Sequence, residues 1–326
     1  MPFSLRALLG SLALGLSMNA VAATDWPPAG KAVQIVVPAP AGGGTGDSIA
    51  RMIAEGLSKE LGGNFVIDNH GGANGNIGAG IAAAAKPDGS KLLFSWAGTL
   101  AVSPALYTKL QFDPQKSFDM IGLVAEVPNI LVVSPTLPVD SVKSFAEYVK
   151  KHPGQVNFGS TGNGSSMHLA GELFMAQTGT NMLHIPYSAP GQATTNLITG
   201  EIQAMFQLIP GIVGQVKAGQ VKALAVTSAK RAATLPDVPT TAEQGYPELL
   251  SSTWFALLAP KGTAPEIIER ANQALNKVLA QPEIKEKLAN LGATTLGGTP
   301  AQADALLNSE LKKWSKIVKD AGISVQ

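Results

Sequence analysis

The chain reads VQIVVPAPAGGGTGDSIARMIAEGLSKEL at residues 33–61, and this stretch decides the fold class. Its first five residues are mostly β-branched and predict a short strand. The glycine- and proline-rich residues 38–46 then predict a loop. Four apolar residues recur at every fourth position after it and predict the buried stripe of a helix: Ile49, Ile53, Leu57 and Leu61. Asp47 or Ser48 is placed to cap that helix.

The same order of strand, loop and helix recurs along the chain. Further strands are predicted at 65–67, 91–96, 130–133, 156–158, 182–185, 202–206, 221–226 and 254–258. Helices are predicted at 79–85, 145–151, 165–177, 193–198, 265–279, 283–291 and 302–321. This alternation predicts a mainly parallel α/β sheet, and the pattern restarts after Pro128 without a long linker. We expect two domains joined by strands, and the pattern leaves open whether the last strand and helices return to the first domain.

Length and composition narrow the class of protein. The chain has 326 residues, the length of about two domains. It is 45% hydrophobic and 14% charged, which excludes a disordered chain. Its net charge of +1 argues against binding of nucleic acid through phosphate contacts. Because cysteine is absent and the four histidines lack metal-binding spacing, we expect no disulfide, metal or thiol chemistry.

The first 23 residues have the layout of an export signal. Arg6 is their one charged residue, an apolar run follows at 7–18, and small residues fit cleavage after Ala22 or Ala23. The alternative is a membrane anchor, but the run is shorter than the roughly 20 residues that a spanning helix needs. We therefore expect an exported protein from which residues 1–23 are removed.

Three loops between a predicted strand and a predicted helix stand out, at 38–47, 160–166 and 187–191. Ligands of open α/β sheets lie at the carboxyl ends of the strands. A helix N-terminus presents N–H groups and a partial positive charge, and glycine lets the backbone approach a ligand closely. The three loops together predict a cleft for a small anion that is held without Arg or Lys.

Each of these features taken alone has a simpler interpretation. Glycine-rich loops are often plain turns, and Asp47 and Ser165 are each placed to be helix caps. His168, one turn into its helix, fits a structural role. Nucleotide binding is not supported, because the first loop lacks the Lys-Ser/Thr ending of a P-loop. No G-x-S-x-G elbow occurs, and no spacing identifies a catalytic pair.

Several stretches together resemble the periplasmic solute-binding proteins of tripartite tricarboxylate transporters, the Bug family. The resemblance covers nearly the whole chain after residue 23, and its stretches together are specific. They are 36–38, 42–51, 69–78, 86–89, 104–107, 160–174 (STGNGSSMHLAGELF), 224–228, 235–240 and 254–260.

The resemblance implies a type II periplasmic-binding-protein (Venus flytrap) fold, an α/β architecture with two lobes joined by two crossing strands. Lobe 1 would comprise 24–128 plus 252–326, and lobe 2 would comprise 129–251. Such a protein is not an enzyme and needs no cofactor. It captures a small carboxylate between its lobes in the periplasm, as a monomer, and delivers it to the permease subunits of a tripartite tricarboxylate transporter.

The resemblance also implies which residues hold the carboxylate. The loop 160–166 would supply the grip of lobe 2, and the loop 41–47 would supply that of lobe 1, partly through bound water. The expected ligand-binding residues are Ala41, Gly42, Gly43, Thr45, Asp47, Thr99, Ser160, Thr161, Gly162, Asn163, Ser165, Ser166, Ser188 and Gln207.

Three departures from the family pattern concern the ligand. Gly46 is an extra residue before Asp47, and Ser188 stands where the family usually has lysine. Gln207 stands where many members have aspartate. Because a neutral amide pairs with an ammonium group less well than a carboxylate does, we expect an amine-free mono- or dicarboxylate.

Two other functions fit the same architecture. A periplasmic sensing module would present the bound ligand to a signalling receptor, and the sequence does not separate this role from transport. A serine hydrolase would use Ser160 or Ser165, although the sequence indicates no base near either. Trp96 and Trp254 could line a cleft for an aromatic acid, but core packing is the favoured role of both.

Overall fold

The computed structural model describes residues 26–42, 44–188 and 190–320, except for the side chain of Asp320. The predicted export signal lies outside these residues, as do Gly43 and Ala189. The described residues form ten strands: β1 (Ala32–Val37), β2 (Asn64–Asn69), β3 (Lys91–Trp96), β4 (Phe118–Val133), β5 (Asn157–Ser160), β6 (Leu183–Pro186), β7 (Ala204–Leu208), β8 (Lys222–Val226), β9 (Ser252–Pro260) and β10 (Thr294–Gly297). They also form ten α-helices: α1 (Thr45–Leu61), α2 (Asn76–Ala83), α3 (Ser103–Leu106), α4 (Val142–Lys151), α5 (Ser166–Thr178), α6 (Pro190–Thr199), α7 (Val213–Lys217), α8 (Pro265–Ala280), α9 (Pro282–Asn290) and α10 (Pro300–Asp320).

Helix α1 follows β1 as predicted, but its capping differs from the prediction. Its N-cap residue is Gly44, and no side chain in the described residues caps it. Asp47 lies inside the first turn and accepts a hydrogen bond from the N–H of Gly42, which precedes the helix. The hydroxyl of Ser48 donates to the carbonyl of Gly44. The prediction that Asp47 or Ser48 is the N-cap is therefore wrong. The helix ends at Gly62, whose left-handed backbone (φ 65°) is typical of a helix C-terminus.

One mixed sheet has the strand order β2-β1-β3-β9-β4-β7-β5-β6, and β8 and β10 also pair with β4. Strand β4 is 16 residues long. Its residues 118–128 pair with β9, whereas its residues 129–133 pair with β7. The sheet therefore has two halves that share β4. The first half contains β1 to β3, β9 and β10, and the second half contains β5 to β8.

Parallel pairing occurs in the outer strands. Strand β1 pairs in parallel with β2 and β3, and β5 pairs in parallel with β6 and β7. At the centre, β4 pairs antiparallel with β7, β8, β9 and β10, and β9 pairs antiparallel with β3. The prediction of a mainly parallel sheet is wrong for this centre, because the sequence pattern did not identify residues 118–129 as strand.

Helices cover both faces of the first half. Along β3, Leu92 and Phe94 face one apolar core with α1, α8 and α9, and Leu93 between them faces another with α2 and α10. This alternation is the two-residue period of a strand that is buried on both faces. The last strand and the last helices thus return to the first half, which answers the question that the sequence pattern left open.

The second half also has a core on each face. Phe145 of α4, Phe174 of α5 and Phe206 of β7 pack together on one face. Leu197 of α6 and Met205 of β7 lie in the core on the other face. Because α4, α5 and α6 hold the parallel strands from both sides, the loops at the ends of these strands start from fixed positions.

A buried polar cluster lies where the chain crosses between the halves. Asn129, in β4, and Ser251, just before β9, are both buried, as is Thr227 after β8. The Asn129 amide donates to the carbonyl of Phe206 (2.7 Å), and its Oδ1 accepts from the Ser251 hydroxyl (3.0 Å). The Thr227 hydroxyl lies 2.6 Å from the Ser251 carbonyl and 2.8 Å from the Asn129 carbonyl. These bonds join the two crossing segments to each other and to the second half.

Close packing of α1 against α8 generates a stability prediction. A Cβ built on Gly56 would lie 2.4 Å from Cγ1 of Val278. We expect Gly56→Ala to lower the free energy of unfolding by about 1–3 kcal/mol, because the added methyl overpacks this contact. Urea denaturation followed by circular dichroism measures the change.

Two further variants test the cause of that loss. Val278→Ala in the Gly56→Ala background removes the clashing methyl groups, so the double variant should lose less than the sum of the two single losses. Gly214→Ala in α7 is the control, because a Cβ built there has no described atom within 4 Å other than its chain neighbours and the backbone of its own helix. Equal destabilisation by the Gly56 and Gly214 substitutions would contradict the packing explanation.

Candidate functional site

The loop 160–166, called here the glycine loop, lies opposite the segment that follows β3. That segment is a π-helical turn, Gly98–Val102, which continues into α3. A Cβ built on Gly98 would lie 3.2 Å from the carbonyl oxygen of Gly164. One built on Gly164 would lie 2.5 Å from Cδ1 of Leu106. The glycine loop and this segment thus touch each other. The region where they meet is called the cleft, and it lies at the carboxyl ends of parallel strands from both halves.

Two predicted ligand hydroxyls shape the glycine loop from within. The Ser160 hydroxyl donates to the carbonyl of Gly162 (3.1 Å) and accepts from its N–H (3.1 Å). The Ser165 hydroxyl donates to the same carbonyl (2.8 Å). Both side chains are buried. The structure therefore uses these hydroxyls to turn the Gly162 carbonyl inward.

The glycine loop ends at the N-terminus of α5. Ser165 caps this helix, as predicted, because its hydroxyl accepts from the N–H of His168 (3.2 Å). The helix begins at Ser166, so its first N–H groups and its partial positive charge face the loop. Half-buried Asn163 at the tip has no hydrogen-bond partner in the described part of the chain. The tip thus offers unused amide groups beside a positive helix end.

Two stacked imidazoles lie behind the glycine loop. The rings of His168 and His184 are 4.0 Å apart between centroids. Nδ1 of His168 accepts from the N–H of Gly164 (3.1 Å), and Nε2 of His184 lies 2.6 Å from the Ser160 hydroxyl. Burial, followed by the repulsion of any charge on His168, lowers the pKa of His184 to about 3. His184 is therefore neutral at physiological pH. Within the described ranges, no three His, Asp or Glu side chains converge as a metal site.

The contact between His184 and Ser160 was not expected, since the sequence indicated no base near this serine. It does not form an activated nucleophile. Ser160 is fully buried, and its hydroxyl is also bound to both backbone groups of Gly162. A general base works best with a pKa near the operating pH, whereas the pKa of His184 is about 3. The contact instead anchors the first residue of the loop.

Asp47 is the anchor of the loop that follows β1. Its buried carboxylate accepts from the N–H of Gly42 (3.0 Å) and from the Nδ2 of Asn69 (2.8 Å). Arg51 adds two further hydrogen bonds, at 2.8 and 3.1 Å. Burial raises the pKa of Asp47, but the hydrogen bonds from Arg51, Asn69 and Gly42 outweigh it and hold the pKa below its usual value. The carboxylate is fully engaged within the protein.

The ring of Trp96 joins the loops of the first half. A Cβ built on Gly46 would lie 3.3 Å from Cζ3 of this ring, and one on Gly75 would lie 3.3 Å from Cζ2. A Cβ on Gly98 would lie 3.4 Å from Cδ1. The extra glycine of the first loop, Gly46, therefore lies beneath the indole. Three glycines, in the first turn of α1, in the loop 71–78 and at the start of the π-helical turn, let one half-buried tryptophan pack against all of them.

Asn74 is a functional candidate that the sequence reasoning missed. Its backbone is left-handed (φ 54°, ψ 33°), and its carbonyl accepts from the hydroxyl of buried Thr99 (2.8 Å). Its Nδ2 is buried and has no hydrogen-bond partner among the described residues. This nitrogen lies 3.4 and 3.3 Å from Cβ positions built on Gly98 and Gly164, hence between the two halves. The signal was the Asn-Gly pair in the loop 71–78, because asparagine tolerates left-handed backbone.

Gln207 lies at the carboxyl end of β7 and is only 3% exposed. The parallel register pairs Met205 with Gly159, so Gln207 is two residues beyond this pair, on the side of the glycine loop. Its Oε1 accepts from the N–H of Leu208 (2.9 Å). Its Nε2 is buried without a hydrogen-bond partner in the described ranges. The side chain thus has one donor group to offer.

The remaining predicted residues are more scattered. Three residues of the predicted set are exposed: Ala41, Gly42 and Ser188. Three others have hydroxyls in or near the loops: Thr45 is buried in α1, Thr161 lies 3.5 Å from the sulfur of Met167, and Ser166 lies 3.5 Å from the Nδ2 of Asn129. Gly43 lies outside the described residues. Trp254 is 4% exposed and lies in the core of the first half.

Comparison with known proteins identifies the family. Residues 49–323 match the family described as tripartite tricarboxylate transporter family receptor. The chain belongs to this receptor family. It is similar to protein BugT of Bordetella pertussis, with 35% identity over 99% of this chain and 98% of that protein.

Solved structures agree with this assignment. The fold is similar to that of the periplasmic binding protein BugD, with a TM-score of 0.84 and 35% identity over 91% of this chain and 99% of that chain. It is also similar to R. palustris Rpa4515 with adipate, with a TM-score of 0.87 and 35% identity over 92% of this chain and all of that chain.

These similarities confirm the recognised family and the two-lobed periplasmic-binding-protein fold. The protein is a periplasmic solute receptor and not an enzyme, which decides against the serine hydrolase alternative. In the residues that the structure describes, no helix has the length and hydrophobicity needed to cross a membrane.

The low pKa of His184 predicts a pH dependence of stability. Its pKa is about 3 in the folded protein and about 6.5 in the unfolded chain. Between these values the unfolded chain binds a proton that the folded protein does not bind, so this group lowers the free energy of unfolding as pH falls below about 6.5. His184→Gln removes this group. Urea denaturation at pH 7.5 and pH 5 should show a smaller loss on acidification for the variant than for the wild type. Equal losses in the two proteins would contradict a neutral, half-buried imidazole at His184.

Proposed function

We propose that this receptor captures a small amine-free mono- or dicarboxylate in the cleft and delivers it to the permease of a tripartite tricarboxylate transporter. The carboxylate would meet the glycine loop and the N-terminus of α5, with Asn74 on the opposite side. The similarity to R. palustris Rpa4515 with adipate, at 35% identity, supports a dicarboxylate about as large as adipate.

The observation that carries this proposal is that two of the buried donors without a hydrogen-bond partner in the described residues belong to Asn74 and Gln207, on either side of the glycine loop: Nδ2 of Asn74 and Nε2 of Gln207. An unsatisfied buried polar group costs about 1–3 kcal/mol. A ligand that supplies acceptor oxygens would remove this cost. Carboxylates are such ligands, because their oxygens accept hydrogen bonds from amide N–H groups, and both donors here are uncharged amides.

The state of Asp47 supports a ligand without an ammonium group. Asp47 is the one carboxylate in the expected ligand-binding set, and Gly42, Arg51 and Asn69 already donate to it. Gln207 offers a donor at the position where the family resemblance implies an aspartate in many members. An ammonium group would therefore meet donors where it needs acceptors.

We further infer that the protein is exported, that its chain is divided into two lobes and that it is a monomer. Cleavage after Ala22 or Ala23 would release the mature chain into the periplasm, and N-terminal sequencing identifies the cut. Lobe 1 would comprise 24–128 plus 252–326, and lobe 2 would comprise 129–251. The change of pairing partner within β4, between residues 128 and 129, supports this division.

Thermal unfolding of mature protein tests ligand class. The panel contains aliphatic diacids including adipate, aromatic mono- and diacids, citrate, and acidic amino acids. A ligand at 100 times its Kd stabilises the folded state by about 2.7 kcal/mol, which raises Tm measurably. We expect stabilisation by amine-free acids. Stabilisation by amino acids alone would contradict the amine-free proposal.

A charge substitution at Gln207 tests whether this side chain contacts the ligand. Gln207→Glu keeps the shape but places a negative charge beside the ligand, and we expect at least about tenfold weaker binding of adipate, equivalent to about 1.4 kcal/mol. Gln220→Glu, on the exposed surface, adds the same charge and is the control. Calorimetric titration measures both. Unchanged affinity in the Gln207 variant would exclude this side chain as a contact.

Delivery to a permease is tested in cells. Deletion of the gene should abolish uptake of the radiolabelled ligand, and expression of the full chain should restore it. Uptake that persists after deletion would contradict the transport role and favour sensing.

A further inference from the structure

Three aromatic rings form a stack behind the glycine loop. Phe158 of β5 lies 5.0 Å from His184 of β6, and His184 lies 4.0 Å from His168 of α5 between ring centroids. A Cβ built on Gly171 would lie 2.2 Å from the Phe158 ring, so this glycine lets α5 approach the stack. The stack therefore has its place fixed by three elements of the second half.

The two imidazoles contact opposite ends of the glycine loop. His184 Nε2 lies 2.6 Å from the hydroxyl of Ser160, the first residue of the loop. His168 Nδ1 accepts from the N–H of Gly164, next to the helix cap, at 3.1 Å. Because the rings stack on each other, one stacked pair contacts both ends of the loop.

The contact with Gly164 requires one tautomer of His168. Nδ1 accepts a hydrogen bond, so it has no proton, and the proton of the neutral ring is on Nε2. Nε2 lies 3.3 Å from a carboxylate oxygen of Glu172, one turn further along α5. Glu172 thus favours the tautomer that leaves Nδ1 free to accept.

These contacts determine which backbone groups face the cleft. Gly162 and Gly164 have left-handed backbones (φ 119° and 79°), which glycine adopts without strain. The carbonyl of Gly162 and the N–H of Gly164 are both turned inward by hydrogen bonds. Asn163 between them is left with its amide groups unused in the described part of the chain.

We propose that His168 and His184 are positioning residues for the ligand: the stacked pair holds both ends of the glycine loop, and His168 acts through Nδ1 as an acceptor. This inference rests on the proposed carboxylate function for its effect on affinity, but the effect on the loop does not depend on any ligand.

Isosteric variants distinguish the loss of the hydrogen-bonding atom from the loss of the imidazole ring. Asn places its Oδ1 near the position of Nδ1, so His168→Asn keeps the acceptor, whereas His168→Leu removes it. Gln places a polar atom near the position of Nε2, so His184→Gln keeps the contact with Ser160, whereas His184→Leu removes it. His152→Leu, at the end of α4, is the control for removal of an imidazole elsewhere.

Hydrogen exchange of the ligand-free protein, read by mass spectrometry on the peptide that covers 159–168, is the first measurement. We expect at least tenfold faster exchange at the Gly164 amide in His168→Leu, and exchange close to the wild type in His168→Asn and His152→Leu. The second measurement is adipate affinity, which should fall at least tenfold in His168→Leu and His184→Leu and recover in His168→Asn and His184→Gln.

The outcomes are distinguishable. Unchanged exchange in His168→Leu, or equal losses in His168→Leu and His168→Asn, would overturn the role of Nδ1 as the acceptor. Faster exchange in His168→Leu would support the role of His168 in holding the glycine loop, whatever the ligand. If the wild type then binds no acid of the panel, the proposed carboxylate function is contradicted instead.

Discussion

The buried bonds of Asn129 are the constraint on which the two-lobed arrangement depends. Asn129 lies where β4 passes from the first half of the sheet to the second, and its side chain is bonded to Phe206 and to Ser251. Ser251 directly precedes β9, the strand that returns to the first half. Both crossings are thus joined by buried hydrogen bonds, which in a low-dielectric interior are costly to break. Motion between the halves is therefore expected as bending and twisting of β4 and β9 about this cluster, not as sliding of separate domains.

The proposed binding chemistry of the cleft follows from how the loops are held. Inner anchors are satisfied: the Asp47 carboxylate by Arg51 and Asn69, and the Ser160 and Ser165 hydroxyls by Gly162. The groups that remain without partners in the described ranges include amide donors, which suits an anion without a fixed positive charge nearby. Preorganised donors of this kind bind a carboxylate with little rearrangement of the protein. Closure over a small ligand therefore costs little conformational entropy.

Much of this arrangement was predictable from local sequence. Period-four stripes and β-branched runs identified α1 and β1, and the glycine loops predicted the edge of the sheet where the proposed cleft lies. The start of β4 was missed because Gly122, Glu126 and Pro128 interrupt its apolar pattern, and its burial on both faces removes the alternation of a half-exposed strand. The roles of Asp47, Asn74 and His184 were missed for another reason. His184 contacts Ser160, 24 residues away, and Asp47 binds Asn69, 22 residues away, so spacing does not identify these contacts. The Asp47–Arg51 pair (i, i+4) and the Asn-Gly pair at 74–75 were local signals that the sequence reasoning did not use.

A crystal structure of the mature protein with adipate tests the central claim most directly. The account predicts one carboxylate between the glycine loop and the Asn74 amide, with its oxygens within hydrogen-bond distance (about 3 Å) of backbone N–H groups at the N-terminus of α5. It also predicts that Asp47 and the Ser160 hydroxyl keep their bonds within the protein. A carboxylate held elsewhere, by arginine or lysine side chains, or a ligand that displaces His168 from Gly164, would contradict it.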